Sequence, residues 1–133
     1  MGSKVDLSLH RYDVVEAEIN YGSGSIQKRK RPYVVVSNEL GTTKATIVTL
    51  MPLTTCTKKK ELPVHGCLET NSDNGLKTFS MILGEQPLTV DKGEVIRKIG
   101  NVKDKKQRNI INKICYNTFF FGENIDWNEV FCN

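Results

Sequence analysis

Four cations stand in a row at Lys28, Arg29, Lys30 and Arg31, and a proline follows at once. Downstream, Thr54 and Thr55 close an apolar run just before Lys58, Lys59 and Lys60. These residue types suit an oxyanion, above all a phosphate. A guanidinium is a planar fork that holds two phosphate oxygens at once, whereas a lysine is a point charge on a long stem. Arg31 differs from its three neighbours because Pro32 fixes its own φ and also restricts the residue before it. A hydroxyl at Thr54 or Thr55 adds a hydrogen bond to the same phosphate. Each residue has a plainer alternative: Arg31 as a surface arginine, the threonines as strand-end turn residues.

Other groups are less committed. His65 alternates with Val64 on a predicted strand and, taken alone, reads more readily as a structural histidine. Glu85 and Gln86 end another predicted strand, where they either contact a base edge or close a sheet. The familiar catalytic constellations are missing. The only histidines are His10 and His65, and no Ser-His-Asp order can be drawn. "GSGS" lacks the Gly-Lys-Ser/Thr ending of a phosphate-binding loop, and there is no G-x-G-x-x-G. No carboxylate cluster suggests a metal site, so a metal-independent mechanism without a cofactor is favoured.

The charge is unevenly placed. The net charge of +4 divides into −2 over residues 1–27, +7 over 28–60 and −1 over 61–133. A local excess of that size steers a polyanion to one face; a solvated basic loop is the alternative.

The elements that must position these residues are mostly strands. Runs at 13–19, 32–38, 46–54, 62–69 and 79–86 are rich in β-branched and apolar residues and bounded by turn residues. Residues 20–30 form a long Gly-rich loop, and loops longer than ~12 residues are usually functional. Pro52 is expected to break or bend the strand over 46–54. Residues 39–45 read as a turn, and Asn74-Gly75 marks another. Residues 87–100 are expected to hold a short strand or turn, then one helical turn ending at Gly100. Asp104 starts the one convincing helix, 104–121. Gln107 completes a capping box, Ile110, Ile111, Ile114, Cys115, Thr118 and Phe119 recur at helical spacing, and Gly122 ends it. In the tail, Ile125, Trp127, Val130 and Phe131 are expected to pack as a partial helix. The result is a single, mainly β, barrel-like domain spanning 1–133, with residues 1–10 flexible and 122–133 an extra tail.

The chain has 133 residues, enough for one core. No apolar run reaches the ~18 residues of a membrane helix. The N-terminus has no signal-peptide pattern, so the chain is expected to be cytoplasmic. Cys56, Cys67, Cys115 and Cys132 show no C-x-x-C pairing and no His at zinc-finger spacing. Free, partly buried thiols are expected for such a chain.

In order and spacing, "DVVEAEI", "GSIQKRKRPYVVVSN", "IVTLMPLTT" with "KKKELPVH", and "ILGEQPLTVDK" resemble the MazF/PemK family, the toxins of type II toxin–antitoxin pairs. The likeness spans roughly residues 11–92, with a C-terminal helix in the expected place. It implies a small SH3-like barrel of five to seven short strands with an appended helix, the CcdB/MazF/Kid-like fold. It also implies a homodimer that cuts single-stranded RNA at short sequences without a metal. In this chemistry the 2′-hydroxyl attacks the neighbouring phosphate, giving a 2′,3′-cyclic phosphate and a 5′-hydroxyl. The family's catalytic arginine falls on Arg31 and its catalytic threonine on Thr54. Ser25 and Gln27 fall in a loop that closes over RNA. Lys28, Arg29, Lys30, Thr55, Lys58, Lys59, His65, Glu85 and Gln86 are the remaining expected RNA contacts. The expected protein partner is an acidic, partly disordered, MazE-like antitoxin.

Two positions depart from the family pattern. Leu88, after Pro87, replaces an arginine and removes a potential phosphate contact. Tyr12 replaces the glycine before the first-strand aspartate, a change expected to affect packing only. Two other readings remain. One is a non-catalytic RNA- or antitoxin-binding member, which Leu88 motivates. The other is a CcdB-like gyrase poison, which "WNEVFCN" matches poorly.

Overall fold

A computed structural model describes residues 8–19, 30–56 and 62–131. It contains seven antiparallel strands: β1 (Asp13–Glu18), β2 (Lys30–Val35), β3 (Ile47–Thr55), β4 (His65–Leu68), β5 (Ser80–Leu83), β6 (Leu88–Asp91) and β7 (Val95–Asn101). The helices are α1 (Glu39–Lys44), α2 (Lys105–Phe120) and α3 (Trp127–Phe131). Along the sheet the order is β4-β5-β3-β2-β1-β7, and β6 also pairs with β3. So β6 and β7 pair with opposite edges of the β3-β2-β1 unit, yet only the 3-10 turn Lys92–Glu94 separates them in sequence. That short link forces the sheet to curl until its edges approach, which is how a barrel closes. The mainly β fold with a C-terminal helix is as expected.

Alternation along the strands divides the core in two. Val14, Val34, Met51, Leu53 and Ile82 face α2, together with Ile111 and Ile114. Val15, Ala17, Tyr33, Val35, Val48 and Leu50 face the other way, inside the curl, with Leu9 and Val95. Leu9 is 1% exposed, so the chain is anchored earlier than a flexible stretch over 1–10 would allow; residues 1–7 lie outside the described residues.

Several local expectations are corrected. Residues 39–44 form a helix, not a turn. Asn38 caps it by accepting a hydrogen bond from the Gly41 N–H at 2.7 Å. The Glu39 carboxylate accepts from the His10 ring at 2.7 Å and the Arg11 N–H at 2.8 Å. The His10 bond first, and the Arg11 bond next, hold Glu39 below the usual glutamate range. The helical turn lies at 92–94, and residues 95–101 are a strand, because the edge of β1 requires a partner. β3 runs through Pro52 unbroken. What changes there is its partner on one edge, β6 up to Leu50 and β5 from Leu53, so the missing N–H falls in the gap.

α2 starts where expected, with Asp104 Oδ2 accepting from the Gln107 N–H at 3.0 Å. The Gln107 side chain does not complete a capping box; it donates to the Glu69 carbonyl at 2.8 Å and accepts from Asn74. Ile111 and Ile114 are buried, whereas Phe119 is exposed. Ile125, Trp127, Val130 and Phe131 are likewise exposed, so α3 forms but does not pack on the core.

Asn74 is fully buried in the turn between β4 and β5. It donates to the Glu69 carbonyl at 2.9 Å and accepts from the Leu76 N–H at 3.0 Å. Asn74→Ala strands those partners, and urea unfolding is expected to show a loss of about 1–3 kcal/mol.

Tyr12 is more than a packing change. Its φ is 75°, a conformation that glycine adopts without cost and other residues seldom adopt. Compensating contacts hold it: Arg108 lies 4.2 Å and Arg11 5.0 Å from its ring centroid, and its hydroxyl donates to Asn112 at 2.9 Å.

The free-thiol expectation also fails for two cysteines. Cys56 and Cys67 form a disulfide with Cα atoms 6.4 Å apart, within the usual range for such a bond. Pairing of β3 and β4 to either side of β5 brings the two residues together. Cys115 is free.

Candidate active face

Strand register sets the site. Tyr33 pairs with Pro52, so extending that antiparallel register by two residues puts Arg31 opposite Thr54. Thr54 in turn pairs with Met81 of β5, and Met81 pairs with Cys67 of β4. Residues paired across antiparallel strands project to the same face. Thr54, Met81 and Cys67 therefore form one row across β3, β5 and β4, and Arg31 stands on the same face, two residues beyond the last β2–β3 pair. The row lies on the side of the sheet opposite α2, because Leu53, Ile82 and Gly66 alternate with it and face the helix. Arg31, Thr54, Met81 and Cys67 are all partly exposed, which makes this the open continuation of the inner core.

Alternation also separates neighbours that sequence alone groups together. Lys30 pairs with Glu18 and projects to the face opposite Arg31. Thr55 pairs with the buried Ser80 and projects away from Thr54. His65 lies two residues from Cys67 and so shares the Arg31–Thr54 face. Its Nε2 meets Glu85 Oε1 at 2.8 Å, with the His65 side chain 11% exposed and that of Glu85 45%. His65 Nδ1 is buried with no hydrogen-bond partner among the described residues. An imidazole with its Nε2–H on the carboxylate leaves Nδ1 as a bare acceptor. His65 thus orients Glu85 instead of presenting itself to a ligand. Gln86 is exposed and closes the turn after β5 through its backbone N–H to the Leu83 carbonyl at 3.1 Å. Ser25, Gln27, Lys28, Arg29, Lys58 and Lys59 lie outside the described residues.

Leu88 pairs with Leu50 and packs against the inner core with Val90. The residue that replaces the family arginine has become part of the apolar wall. Sequence reasoning missed Met81 and Cys67 as members of this face. The available signal was spacing: a strand that brings His65 to the site brings Cys67 with it. Among the described residues, no group of three or more His, Cys, Asp and Glu is placed to hold a metal ion. No helix among them is long and apolar enough to cross a membrane.

A small curled sheet with a helix on one face and a polar strand-end row on the other defines a compact β-barrel class. Residues 10–117 match the model of the PemK-like, MazF-like toxins of type II toxin–antitoxin systems. The chain belongs to that toxin family. Over 106 residues it is 32% identical to the Endoribonuclease MazF of Staphylococcus saprophyticus, covering 80% of this chain and 88% of that protein. Among solved structures, a mycobacterial endoribonuclease in complex with its cognate antitoxin matches with a TM-score of 0.65 at 22% identity, covering 83% of this chain and 93% of that one. MazF from Deinococcus radiodurans matches with a TM-score of 0.64 at 14% identity, covering 85% and 94%.

Proposed function

We propose that this chain is a sequence-specific endoribonuclease toxin that cuts single-stranded RNA without a metal ion. The observation that carries this reading is that strand alternation places Arg31 and Thr54 together on the open face of a PemK/MazF-family barrel. A curated relative named an endoribonuclease supports the reaction class.

The 2′-hydroxyl loses a proton and its oxygen attacks the adjacent phosphorus. The bond from phosphorus to the 5′-oxygen breaks, and that oxygen takes up a proton. The products are a 2′,3′-cyclic phosphate and a 5′-hydroxyl. Arg31 neutralises the charge that builds on the phosphorane, and Thr54 hydrogen-bonds the same phosphate. A guanidinium stays protonated in proteins, so Arg31 is a charge stabiliser and hydrogen-bond donor, and solvent takes the proton of the 2′-hydroxyl and returns one to the 5′-oxygen. Lys28, Arg29, Lys30, Lys58 and Lys59 supply the field that gathers RNA, Ser25 and Gln27 close over it, and Glu85, held by His65, lines the groove with Gln86.

The working form is a cytoplasmic homodimer with RNA crossing between the subunits. Its inhibitor is an acidic antitoxin that competes for the same field; a related endoribonuclease has been solved with its cognate antitoxin. Purified protein is expected to cleave an unstructured RNA in EDTA as fast as with added magnesium, read on a denaturing gel. Tight RNA binding with no product over hours overturns the reading in favour of the non-catalytic member that Leu88 raises.

A further inference from the structure

The Cys56–Cys67 disulfide is unexplained by the reaction and unexpected from composition. Its place in the fold is specific. Cys56 lies two residues beyond Thr54, so both side chains project to the same face. Cys67 stands in the same cross-strand row as Thr54, with Met81 between them. At Cys56 the pairing of β3 ends: its N–H donates to the Phe79 carbonyl at 2.7 Å, and residues 57–61 that follow lie outside the described residues. The disulfide therefore ties the end of the Thr54-bearing strand to β4, the strand that carries His65. β4 is an edge strand, and α2 packs on its face through the close approach of Gly66 to Ile110 and Ile114.

We propose that the Cys56–Cys67 disulfide is a redox-sensitive clamp that positions Thr54 on the active face. The proposal rests on the endoribonuclease reading above. Intact, the bond fixes the strand end against β5 and β4 and holds the Thr54 hydroxyl in register with Arg31. Cleaved, the last residues of β3 keep only their ladder bonds to β5 and fray more readily, as strand ends do. A dithiol reductant carries out the exchange: it gives two electrons and two protons to the disulfide, yielding the Cys56 and Cys67 thiols, and itself becomes a disulfide. Disulfides that form in reducing compartments are usually transient and catalytic or redox-sensing. Cys115 does not compete for the exchange. Burial, the main cause, pushes its thiol above the usual range against a smaller opposing effect of Arg11, and a protonated thiol is a poor nucleophile.

The test compares kcat and KM on one short, unstructured RNA for the oxidised protein, the protein reduced with dithiothreitol, and the Cys56→Ser, Cys67→Ser double variant, with the bond state confirmed by mass. Reduction is expected to lower kcat about tenfold with little change in KM, the signature of a misplaced catalytic group. The double variant is expected to match the reduced protein and to ignore the reductant. Circular dichroism checks that each form is folded at the assay temperature. If the bond only stabilises the fold, breaking it lowers the melting temperature and leaves kcat unchanged, and that result overturns the proposal while leaving the endoribonuclease reading intact. No cleavage in either redox state overturns both.

Discussion

Arg31→Ala is expected to lower RNA cleavage about 10²–10³-fold, the loss typical when one preorganised transition-state donor is removed. The reason is positional as much as electrostatic. Arg31 is embedded in β2, with Ala17 of β1 opposite it and Pro32 fixing the backbone after it. The other cations of the run lack that placement: Lys30 projects to the opposite face, and Lys28 and Arg29 lie outside the described residues. Neutralising Lys28, Arg29 and Lys30 together should weaken RNA affinity and flatten its salt dependence, with little effect on kcat. Arg31→Lys keeps the charge and loses the bidentate fork, so its rate falls between wild type and alanine. Arg31 belongs to neither core cluster, so Arg31→Ala should unfold at the wild-type temperature. Wild-type cleavage by a folded Arg31→Ala protein would remove Arg31 from the mechanism.

Ile114→Ala carries the largest expected effect on stability, about 2–5 kcal/mol by the usual range for such a core truncation. Against the ~5–15 kcal/mol that holds a small domain, that loss is severe. Ile114 is fully buried and is the contact through which α2 reaches both site-bearing strands of the sheet's outer half. A Cβ at Gly66 of β4 would lie 2.7 Å from Ile110 Cγ2 and 2.9 Å from Ile114 Cδ1. At Gly84, just past β5, it would lie 2.4 Å from Ile114 Cγ2. The glycines are what let the helix seat this deeply. A double-mutant cycle gives the sharper check: Gly66→Ala should cost markedly less in the Ile114→Ala background, because the truncation removes one of its two clashes. Gly84→Ala should gain less relief, since its Cβ also meets the Val64 carbonyl at 2.4 Å, and backbone does not yield. Equal costs of Gly66→Ala in both backgrounds, measured by chemical unfolding, would contradict this packing account.

Much of the fold was legible because its signals are local. β-branched runs marked most strands, and the 3.6-residue spacing of Ile110, Ile111 and Ile114 marked α2. The errors have non-local causes. Val95, Ile96 and Ile99 have a spacing that suits a helical turn, yet the unpaired edge of β1 draws them into a strand. α1 carries Gly41, Thr42 and Thr43, all weak helix formers, and depends on the Asn38 cap, Glu39 and the burial of Thr42. The tail aromatics show that apolar spacing alone does not say whether a face is covered: Phe119, Trp127 and Phe131 remain exposed. Nothing about Tyr12 in the sequence announces a positive φ; only the glycine it replaces hints at it.

The site was legible in residue type and less so in geometry. Arg31 before Pro32 and Thr54 at a strand end were singled out on chemistry, and strand alternation puts them on one face. Thr55 and Lys30 were grouped with them because sequence neighbours look alike, whereas alternation sends them to the other face. His65 and Glu85 were read as separate ligand contacts and instead hydrogen-bond each other. The disulfide was unreadable because cysteine pairing depends on which strands flank β5.

The central claim, metal-independent cleavage through the 2′-hydroxyl, is tested most directly by the chemistry of the RNA ends. An unstructured RNA is incubated with the purified protein in EDTA, and its fragments are sequenced with and without prior 5′-phosphorylation. The account predicts fragments that are captured only after phosphorylation, with a cyclic phosphate on the upstream partner, at one short recurring sequence, and about 10²–10³-fold fewer from Arg31→Ala. Fragments bearing 5′-phosphates, or cleavage that stops in EDTA and returns with magnesium, would contradict it.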